Sequence, residues 1–457
     1  MRGRRSRTPD ARMTPIDLSQ RIEPHWAWDS FPLVSQAYAD GDEFQEFGLR
    51  WSGTGFTYTS APGWRIPDQP SLDDMPPDRF AGVASVVDLS SAAAQGTILP
   101  GHFTDAAPPK LRPMAILHTG HADAVPMRRR EYWTQLPALS PAIAEMLAER
   151  GVRHVCLDLS CDTAPDRRGD GTGGIHNPNA AFRARAHACG LVVTENLTGT
   201  GALPGEVFLF ALPLKGQGFT TAPSRPVALK KWPSDTPVVR DVSTPYMNHW
   251  RWRLELRRLV TQEPFEDRTE FIQSGHAYTH CDAPRHMERD GPTIQDLPGE
   301  GLNQFLGPAW IVDFSDLPLP TPFTLKLVQE RAGDPPEGAL IILRSDLTNR
   351  LGYPSTRWHT HAPNLEVPAA EWLVSRKPAA LCLDFPQDFI AREMPSRHVY
   401  NNEFVTHHAV LGAGVPFIED LRDLGEITRR DPFLVAIPLR MTCIDGAPMR
   451  VVALEWD

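Results

Sequence analysis

The chain alternates short apolar runs with amphipathic stretches, which is the pattern of a mixed α/β protein. Residues 141–150 carry apolar side chains at helical spacing, and the apolar run VCLDL (155–159) follows directly. The same step from helix to strand recurs at 368–385. The 45 prolines favour short strands and defined loops over long helices. Further runs typical of buried strands are WIVDF (310–314), ALIIL (339–343) and FLVAIPL (433–439).

The chain contains two copies of one unit. LSPAIAEMLAERGVRHVCLDLSCD (139–162) aligns without a gap on LEVPAAEWLVSRKPAALCLDFPQD (365–388), at an offset of 226. Chance does not explain several such matches in one order, so we infer a tandem duplication. Other pairs at offsets of 222 to 226 are HWAW with HWRW, LVVTENL with VPFIEDL, ALPLK with AIPLR, and APSRPVAL with APMRVVAL.

The duplication predicts three segments. Residues 1–13 form a basic tail, residues 14–232 the first repeat, and residues 233–457 the second repeat. The join lies near LKKWPSDTP (229–237). Two packed α/β units suit this period better than a solenoid, whose repeats are much shorter.

Charge and composition exclude several kinds of partner. The net charge of −10 argues against nucleic acid or an anionic membrane as the main partner. No apolar run approaches the roughly 20 residues of a membrane helix. The arginine-rich start is not followed by an apolar segment, so a signal peptide is not expected. The six cysteines form no CxxC pair, which suits a reducing compartment, and we expect a cytoplasmic location.

The stretch HAYTHCDAPRH (276–286) is a candidate metal site. In a regular strand, His276 and His280 would lie about 13 Å apart. Metal ligands lie at roughly 2.0–2.2 Å, so the backbone must bend between them. Two imidazoles and the Asp282 carboxylate suit Zn²⁺ or Mn²⁺, and three ligands leave a position for water. His286 would then act as a base; the alternative is a polar surface loop.

A second candidate lies downstream, in HHAVLGAGVPFIED (407–420). A glycine-rich turn leads into an apolar strand that ends at Glu419. A buried carboxylate is costly unless it is paired or bound to a cation. The alternative is that His407 and His408 are structural.

The motif resembles the H-x-G-T-H-x-D-x-P-x-H signature of the cyclase superfamily of metal-dependent hydrolases, which includes bacterial kynurenine formamidases and isatin hydrolases. The resemblance covers residues 238–457, and in weaker form 14–229. It implies a three-layer, swivelling β/β/α domain, here in two tandem copies that form a pseudo-dimer. Family members commonly assemble further, so additional homo-oligomerisation stays open.

The resemblance also implies roles for individual residues. One or two divalent ions, Zn or Mn, would activate water, with His286 as acid and base. Trp250 or Trp252 would be the loose equivalent of a substrate-binding aromatic. Tyr278 replaces the usual glycine, which would narrow the pocket or change the backbone angles, so it is also assigned to substrate binding. The implied metal ligands are His276, His280 and Asp282, with His407 and Glu419 for a second ion.

The first repeat has lost this chemistry. TGFTYTSAPGW (54–64) aligns on the motif, with Thr54, Tyr58, Ser60 and Trp64 in place of its three histidines and its aspartate. Downstream, Arg183 stands for His407, while a glutamate persists opposite Glu419. These side chains cannot replace imidazoles around an ion, so we predict a non-catalytic repeat.

Two details of the first repeat follow from this hypothesis. Arg183 would pair with the orphaned Glu195 and supply the charge of the lost metal. HTGHAD (118–123) could be a replacement site, but we expect it to be structural.

The favoured function is hydrolysis of a C–N bond in a small amide, formamide or lactam by metal-activated water. One alternative within the family is a cyclase of an aromatic polyketide pathway. Another is a non-enzymatic binding module with a vestigial site. The intact motif in the second repeat argues against the last of these.

Overall fold

The computed structural model describes residues 13–163, 175–252, 254–262, 265–442 and 444–456. The predicted basic tail therefore lies outside the described residues, apart from Met13. Within the described ranges, no helix has the length and apolar character needed to cross a membrane.

The first repeat contributes thirteen strands and six α-helices to the described chain. The strands are β1 (Pro15–Asp17), β2 (Phe31–Gln36), β3 (Glu46–Trp51), β4 (Tyr58–Ser60), β5 (Ala81–Asp88), β6 (Thr97–Ile98), β7 (Met114–His118), β8 (Ala138–Leu139), β9 (His154–Leu157), β10 (Val192–Glu195), β11 (Glu206–Phe210), β12 (Thr221–Pro223) and β13 (Val227–Leu229). The helices are α1 (Ser90–Ala93), α2 (Pro100–Ala106), α3 (His121–Ala124), α4 (Arg130–Thr134), α5 (Ala142–Glu149) and α6 (Ala180–Ala188).

The second repeat contributes twelve strands and six α-helices to the described chain. The strands are β14 (Val238–Asp241), β15 (Glu255–Gln262), β16 (Phe265–Ser274), β17 (His280–Asp282), β18 (Leu306–Asp313), β19 (Pro322–Phe323), β20 (Leu340–Arg344), β21 (Asn364–Leu365), β22 (Ala380–Leu383), β23 (Phe417–Glu419), β24 (Phe433–Pro438) and β25 (Gly446–Glu455). The helices are α7 (Leu302–Phe305), α8 (Leu325–Ala332), α9 (Leu347–Leu351), α10 (Thr356–Thr360), α11 (Val367–Ser375) and α12 (Val405–Leu411).

The predicted elements are present in both repeats. The 141–150 pattern forms α5 and leads into β9, and the equivalent 368–385 pattern forms α11 and β22. Helix α5 buries Ile143 and Leu147 against the sheet, as its spacing requires. The apolar runs at 310–314, 339–343 and 433–439 fall on β18, β20 and β24.

The two repeats share one sheet topology. Strands β5, β7, β9 and β10 run parallel, as do β18, β20, β22 and β23. Antiparallel strands β4 and β17 extend these sheets next to β10 and β23. In the second repeat, β25 pairs with both β17 and β24 and so closes the sheet on itself. In the first repeat, two shorter strands occupy the place of β25: β12 pairs with β4, and β13 pairs with β11. The α/β fold and the duplication are therefore confirmed.

The repeats pack as an internal pseudo-dimer. Hairpin β2–β3 of the first repeat and hairpin β15–β16 of the second join through β3 and β16 into one four-stranded sheet. Two arginines make reciprocal contacts across the interface. Arg225 bonds Asp17 in its own repeat and the Pro438 carbonyl at 3.0 Å in the other. Arg450 likewise bonds Asp241 and the Pro213 carbonyl, at 3.3 Å.

An aromatic core continues through this interface. The Phe219 and Phe271 rings stack at 5.4 Å, and Tyr246 meets both edge-on. One cluster of buried apolar side chains includes residues of both repeats, among them Trp51 and Phe271. The two repeats therefore share part of one hydrophobic core.

Candidate active site

The predicted bend in the motif is present. Strand β16 ends at Ser274, the chain turns through residues 275–279, and β17 begins at His280. The rings of His276 and His280 therefore come within 5.4 Å of each other. Pro284 follows an extended Ala283 and opens a short 3-10 turn, as expected of a residue before proline.

Strand pairing brings the downstream motif to the same place. His280 on β17 lies opposite Glu419 on β23. Helix α12 places His407 next to them. His407 Nε2 lies 3.4 Å from Glu419 Oε1, and 3.7 Å from Asp282 Oδ2. Residues more than 120 positions apart in the sequence thus share one site.

Asp282 lies at the centre of the site. Its Oδ1 lies 2.7 Å from His276 Nδ1 and 3.2 Å from His280 Nε2, while its Oδ2 faces His407. Two sets of three potential ligand atoms therefore share this carboxylate, and within each set the atoms lie within 4.8 Å of one another. The two sets are His276, His280 and Asp282, and Asp282, His407 and Glu419.

The buried carboxylates of the site favour positive charge on the neighbouring imidazoles. Burial alone would lower the pKa of His276, but the carboxylates of Asp445 and Asp282 outweigh it and raise that pKa well above its usual value. Burial would also lower the pKa of His407, and Asp282 and Asp388 raise it. The buried carboxylates thus favour positive charge at their centre, which protons or a divalent cation can supply.

Three polar residues of the site were missed by the sequence analysis. Asp445 Oδ2 lies 2.7 Å from His276 Nε2, Asp388 Oδ2 lies 2.6 Å from His407 Nδ1, and Gln387 Nε2 donates to Glu419 Oε1 at 2.5 Å. Asp388 belongs to a matched pair of the internal repeat, and this was the one available signal. Each carboxylate orients an imidazole, as partners of metal-binding histidines commonly do.

Three contacts fix the orientation of the His286 ring. Its ring stacks on His276 at 3.8 Å. Its Nδ1 lies 2.9 Å from the Gln45 carbonyl and 3.1 Å from Asp445 Oδ2, and both of these groups only accept hydrogen bonds. Nδ1 therefore carries a proton, and in the neutral ring Nε2 is the basic nitrogen.

A cavity of about 320 Å³ opens over these residues. Trp250 and Trp252, the predicted substrate-binding aromatics, both line it. Trp252 Nε1 donates to Tyr353 Oη at 2.9 Å, and that hydroxyl donates to Asp420 Oδ2 at 2.5 Å. Burial raises the pKa of Asp420 to about 7.

The prediction of a substrate contact for Tyr278 is wrong for this pocket. The Tyr278 side chain is 0% exposed and packs on Tyr246, and its hydroxyl donates to the Met247 carbonyl at 2.5 Å. Its backbone nevertheless adopts φ +60°, a conformation that favours glycine. The tyrosine thus adopts a left-handed backbone conformation at the position where the family motif usually has glycine, and its ring packs away from the pocket.

His408 lies outside the site. Its Nδ1 faces Glu288 Oε1 at 2.7 Å, and its Nε2 faces the Asn401 side-chain oxygen at 3.0 Å. His407 and Glu419 are therefore the pair that the fold brings together, with His408 as a neighbour on α12.

In the first repeat, an arginine occupies the centre of the equivalent region. Tyr58 on β4 lies opposite Glu195 on β10, just as His280 lies opposite Glu419. Arg183 Nη1 donates to Glu195 Oε1 at 2.9 Å, to Asp162 Oδ1 at 2.7 Å and to Tyr58 Oη at 2.7 Å. The predicted pairing of Arg183 with Glu195 is confirmed.

The HTGHAD stretch, which we expect to be structural, is hydrogen-bonded to Asp158 on the neighbouring strand end. Asp158 accepts the Thr119 and Gly120 backbone amides at 2.8 Å. The equivalent Asp384 accepts the Ser345 amide at 2.8 Å in the second repeat. Both repeats contain this arrangement, which favours a structural role for it in each copy.

Comparisons with known proteins fit this geometry. The model of the family described as putative cyclase matches residues 16–162 and 222–387, well over half of the chain. The chain therefore belongs to the cyclase family.

The relatives are about half as long as this chain. It is 28% identical over 213 residues to the kynurenine formamidase of Bordetella petrii. The aligned region covers 46% of this chain and 89% of that enzyme. It is 26% identical over 223 residues to the kynurenine formamidase of Geobacillus thermodenitrificans. This aligned region covers 48% of this chain and 88% of that enzyme. The isatin hydrolase A of Ralstonia solanacearum matches in structure with a TM-score of 0.40 and 22% identity, covering 48% and 92%. Relatives of this length correspond to one repeat.

Proposed function

We propose that the second repeat is a divalent-metal-dependent hydrolase of a C–N bond in a small amide, formamide or lactam, and that the first repeat is non-catalytic. The observation that carries the proposal is the convergence of His276, His280, Asp282, His407 and Glu419 beneath the pocket, beside His286. The kynurenine formamidase relatives support the same reaction class.

The donor set fits Zn²⁺ or Mn²⁺. Imidazole and carboxylate ligands suit these borderline-to-hard ions and are poor for Cu(I). His276, His280 and Asp282 would hold one ion, and His407 and Glu419, with Asp282 shared, would hold a second. Such an ion supplies Lewis-acid polarisation and lowers the pKa of water from 15.7 towards about 7.

The residues of the chain supply the remaining steps. The Trp250 and Trp252 side chains hold the substrate against the pocket wall. His286 Nε2 accepts a proton from the attacking water and returns it to the leaving nitrogen. Asp445 and the Gln45 carbonyl fix the ring of His286 in the required tautomer.

The test combines metal analysis with a hydrolysis screen. The purified protein is analysed for Zn and Mn, and is assayed on formanilides, isatin-like lactams and simple amides before and after chelation. We expect bound metal and hydrolysis that chelation abolishes and that the metal restores. A metal-free protein that does not hydrolyse these compounds when supplied with either ion would overturn the proposal.

A further inference from the structure

The first repeat supplies one wall of the pocket in the second repeat. Gln36, Phe44 and Glu46, all on or beside hairpin β2–β3, line the cavity together with Trp250 and Trp252. These three residues precede the second repeat by some 200 positions. The cavity therefore lies between the two copies, although all of its candidate metal ligands belong to one.

The hairpin is bonded to the catalytic region itself. Tyr38 Oη donates to the His286 carbonyl at 2.8 Å, and Gln45 supplies the carbonyl at the ring of His286. The Phe47 amide donates to Asp445 Oδ1 at 3.0 Å, beside the contact of Asp445 with His286. These bonds fix the hairpin at the site, so its side chains face the pocket in a defined position.

Two side chains of the hairpin have the chemistry of a substrate wall. The Phe44 ring stacks near His286 at 6.0 Å and meets Phe404 edge-on at 6.0 Å. Glu46 is half-buried, and its Oε1 accepts a hydrogen bond from Ser274 Oγ at 2.6 Å. A carboxylate retains further lone pairs, all of which accept, so it favours donors and cations over other polar groups.

Hairpin β15–β16 of the second repeat lines the corresponding pocket of the first repeat in the same way. Glu266, Arg268 and Glu270 of β16 line a cavity of about 560 Å³ near Arg183. At the offset of 222 that relates the two motifs, Glu46 corresponds to Arg268 and Phe44 to Glu266. The two hairpins therefore differ in charge and aromaticity. The aromatic ring, Phe44, is on the hairpin that lines the pocket of the second repeat.

We propose that hairpin β2–β3 of the first repeat determines the specificity of the second, with Phe44 and Glu46 selecting an aromatic ligand that carries a positively charged group. The proposal deepens the hydrolase function and rests on it for turnover, but the ligand preference is a property of binding. It can therefore be measured independently of hydrolysis.

The experiment compares two matched probes on the metal-loaded protein. Phenylpropylammonium and phenylpropanol have the same ring and chain and differ in the terminal group. Calorimetry gives Kd for both probes with wild type, Glu46→Gln, Glu46→Asp and the control Arg268→Gln. We expect Glu46→Gln to weaken binding of the ammonium probe roughly 10- to 100-fold, the range of a hydrogen bond to a charged group, and to leave the alcohol unchanged. Glu46→Asp should keep the preference, and Arg268→Gln should change neither Kd.

A second measurement uses formanilides with the same two terminal groups. Glu46→Gln should raise KM for the ammonium compound and leave kcat unchanged, because the contact is made equally in the ground and transition states. If wild type shows no preference for the ammonium probe, or Glu46→Gln weakens both probes equally, the specificity proposal is overturned. If the preference is found without any hydrolysis, the hydrolase function fails and the specificity proposal stands.

Discussion

The two repeats solve the same electrostatic problem in different ways. Both place a glutamate at the end of a central strand and an aspartate on the neighbouring loop, Glu419 with Asp388 and Glu195 with Asp162. In the second repeat imidazoles surround these acids. The positive charge that balances the carboxylates must then come from protons on the imidazoles or from a bound cation. In the first repeat Arg183 supplies a permanent charge from within the chain. A covalently attached cation stabilises the fold and cannot activate water.

The first test removes equivalent residues from both repeats. His276→Ala with His280→Ala should abolish metal binding and lower the rate of hydrolysis by at least about 10³-fold, because a Lewis acid lowers the activation barrier by several kcal/mol. The matched variant, Thr54→Ala with Tyr58→Phe, should retain metal and activity. Metal analysis and rate assays on both variants show which repeat binds the metal and supports hydrolysis. A loss of metal in the matched variant would show that the first repeat also binds an ion.

The second test separates the base from the ligands. His286→Gln should keep the metal and lower kcat by roughly 10²- to 10⁴-fold, the contribution of general acid–base catalysis. Trp64→Phe, at the equivalent position of the first repeat, should leave kcat near that of wild type. Loss of metal together with activity in His286→Gln would instead make His286 a ligand, in the set it forms with His276 and Asp445.

The third test concerns stability. Arg183→Met leaves Glu195 and Asp162 buried without their partner, so the free energy of unfolding should fall by about 3–5 kcal/mol. Urea unfolding of the metal-free protein measures this loss. His407→Asn, at the equivalent position, should affect metal content more than metal-free stability. A loss below about 1 kcal/mol for Arg183→Met, typical of an exposed pair, would contradict a structural role for the arginine.

The smallest expected effect is a pH dependence confined to the first repeat. A hydrogen bond to Asp158 raises the pKa of His118 above its ordinary 6.5. The pair therefore adds stability below 6.5, and that stability is lost as pH rises through the folded-state pKa. Arg344 occupies the equivalent position and stays charged, so it adds no such dependence. Urea unfolding of wild type and His118→Asn should show the largest difference below pH 6.5, and the difference should decrease as the pH rises above the folded-state pKa of His118.

Much of the site could be predicted because a short motif and a repeat are local features. The spacing of His276 and His280 required a bend, and the bend is present. The alignment of the repeats by itself predicts that Arg183 lies beside Glu195, because insertions between the copies are small. Predictions of this kind depend on pairs of residues whose relation the chain itself records.

The remainder of the site depends on contacts that no local pattern records. Asp445 and Glu46 reach the site through sheet closure and hairpin exchange, and neither lies in a motif with metal-ligand spacing. Tyr278 fails for another reason. The resemblance to the family motif identified an unusual residue at this position, but the direction of its ring is set by packing on Tyr246.

The exchanged hairpins have an evolutionary consequence. In a symmetric homodimer, one gene encodes both walls and both sets of ligands, so every substitution appears in two pockets at once. Here Gln36, Phe44 and Glu46 of the first repeat line the pocket of the second repeat, while Glu266, Arg268 and Glu270 of the second repeat line the pocket beside Arg183. Gene duplication thus places the hairpin that lines this pocket and the candidate metal ligands in separate copies of the sequence, so a substitution in one copy no longer appears in the other.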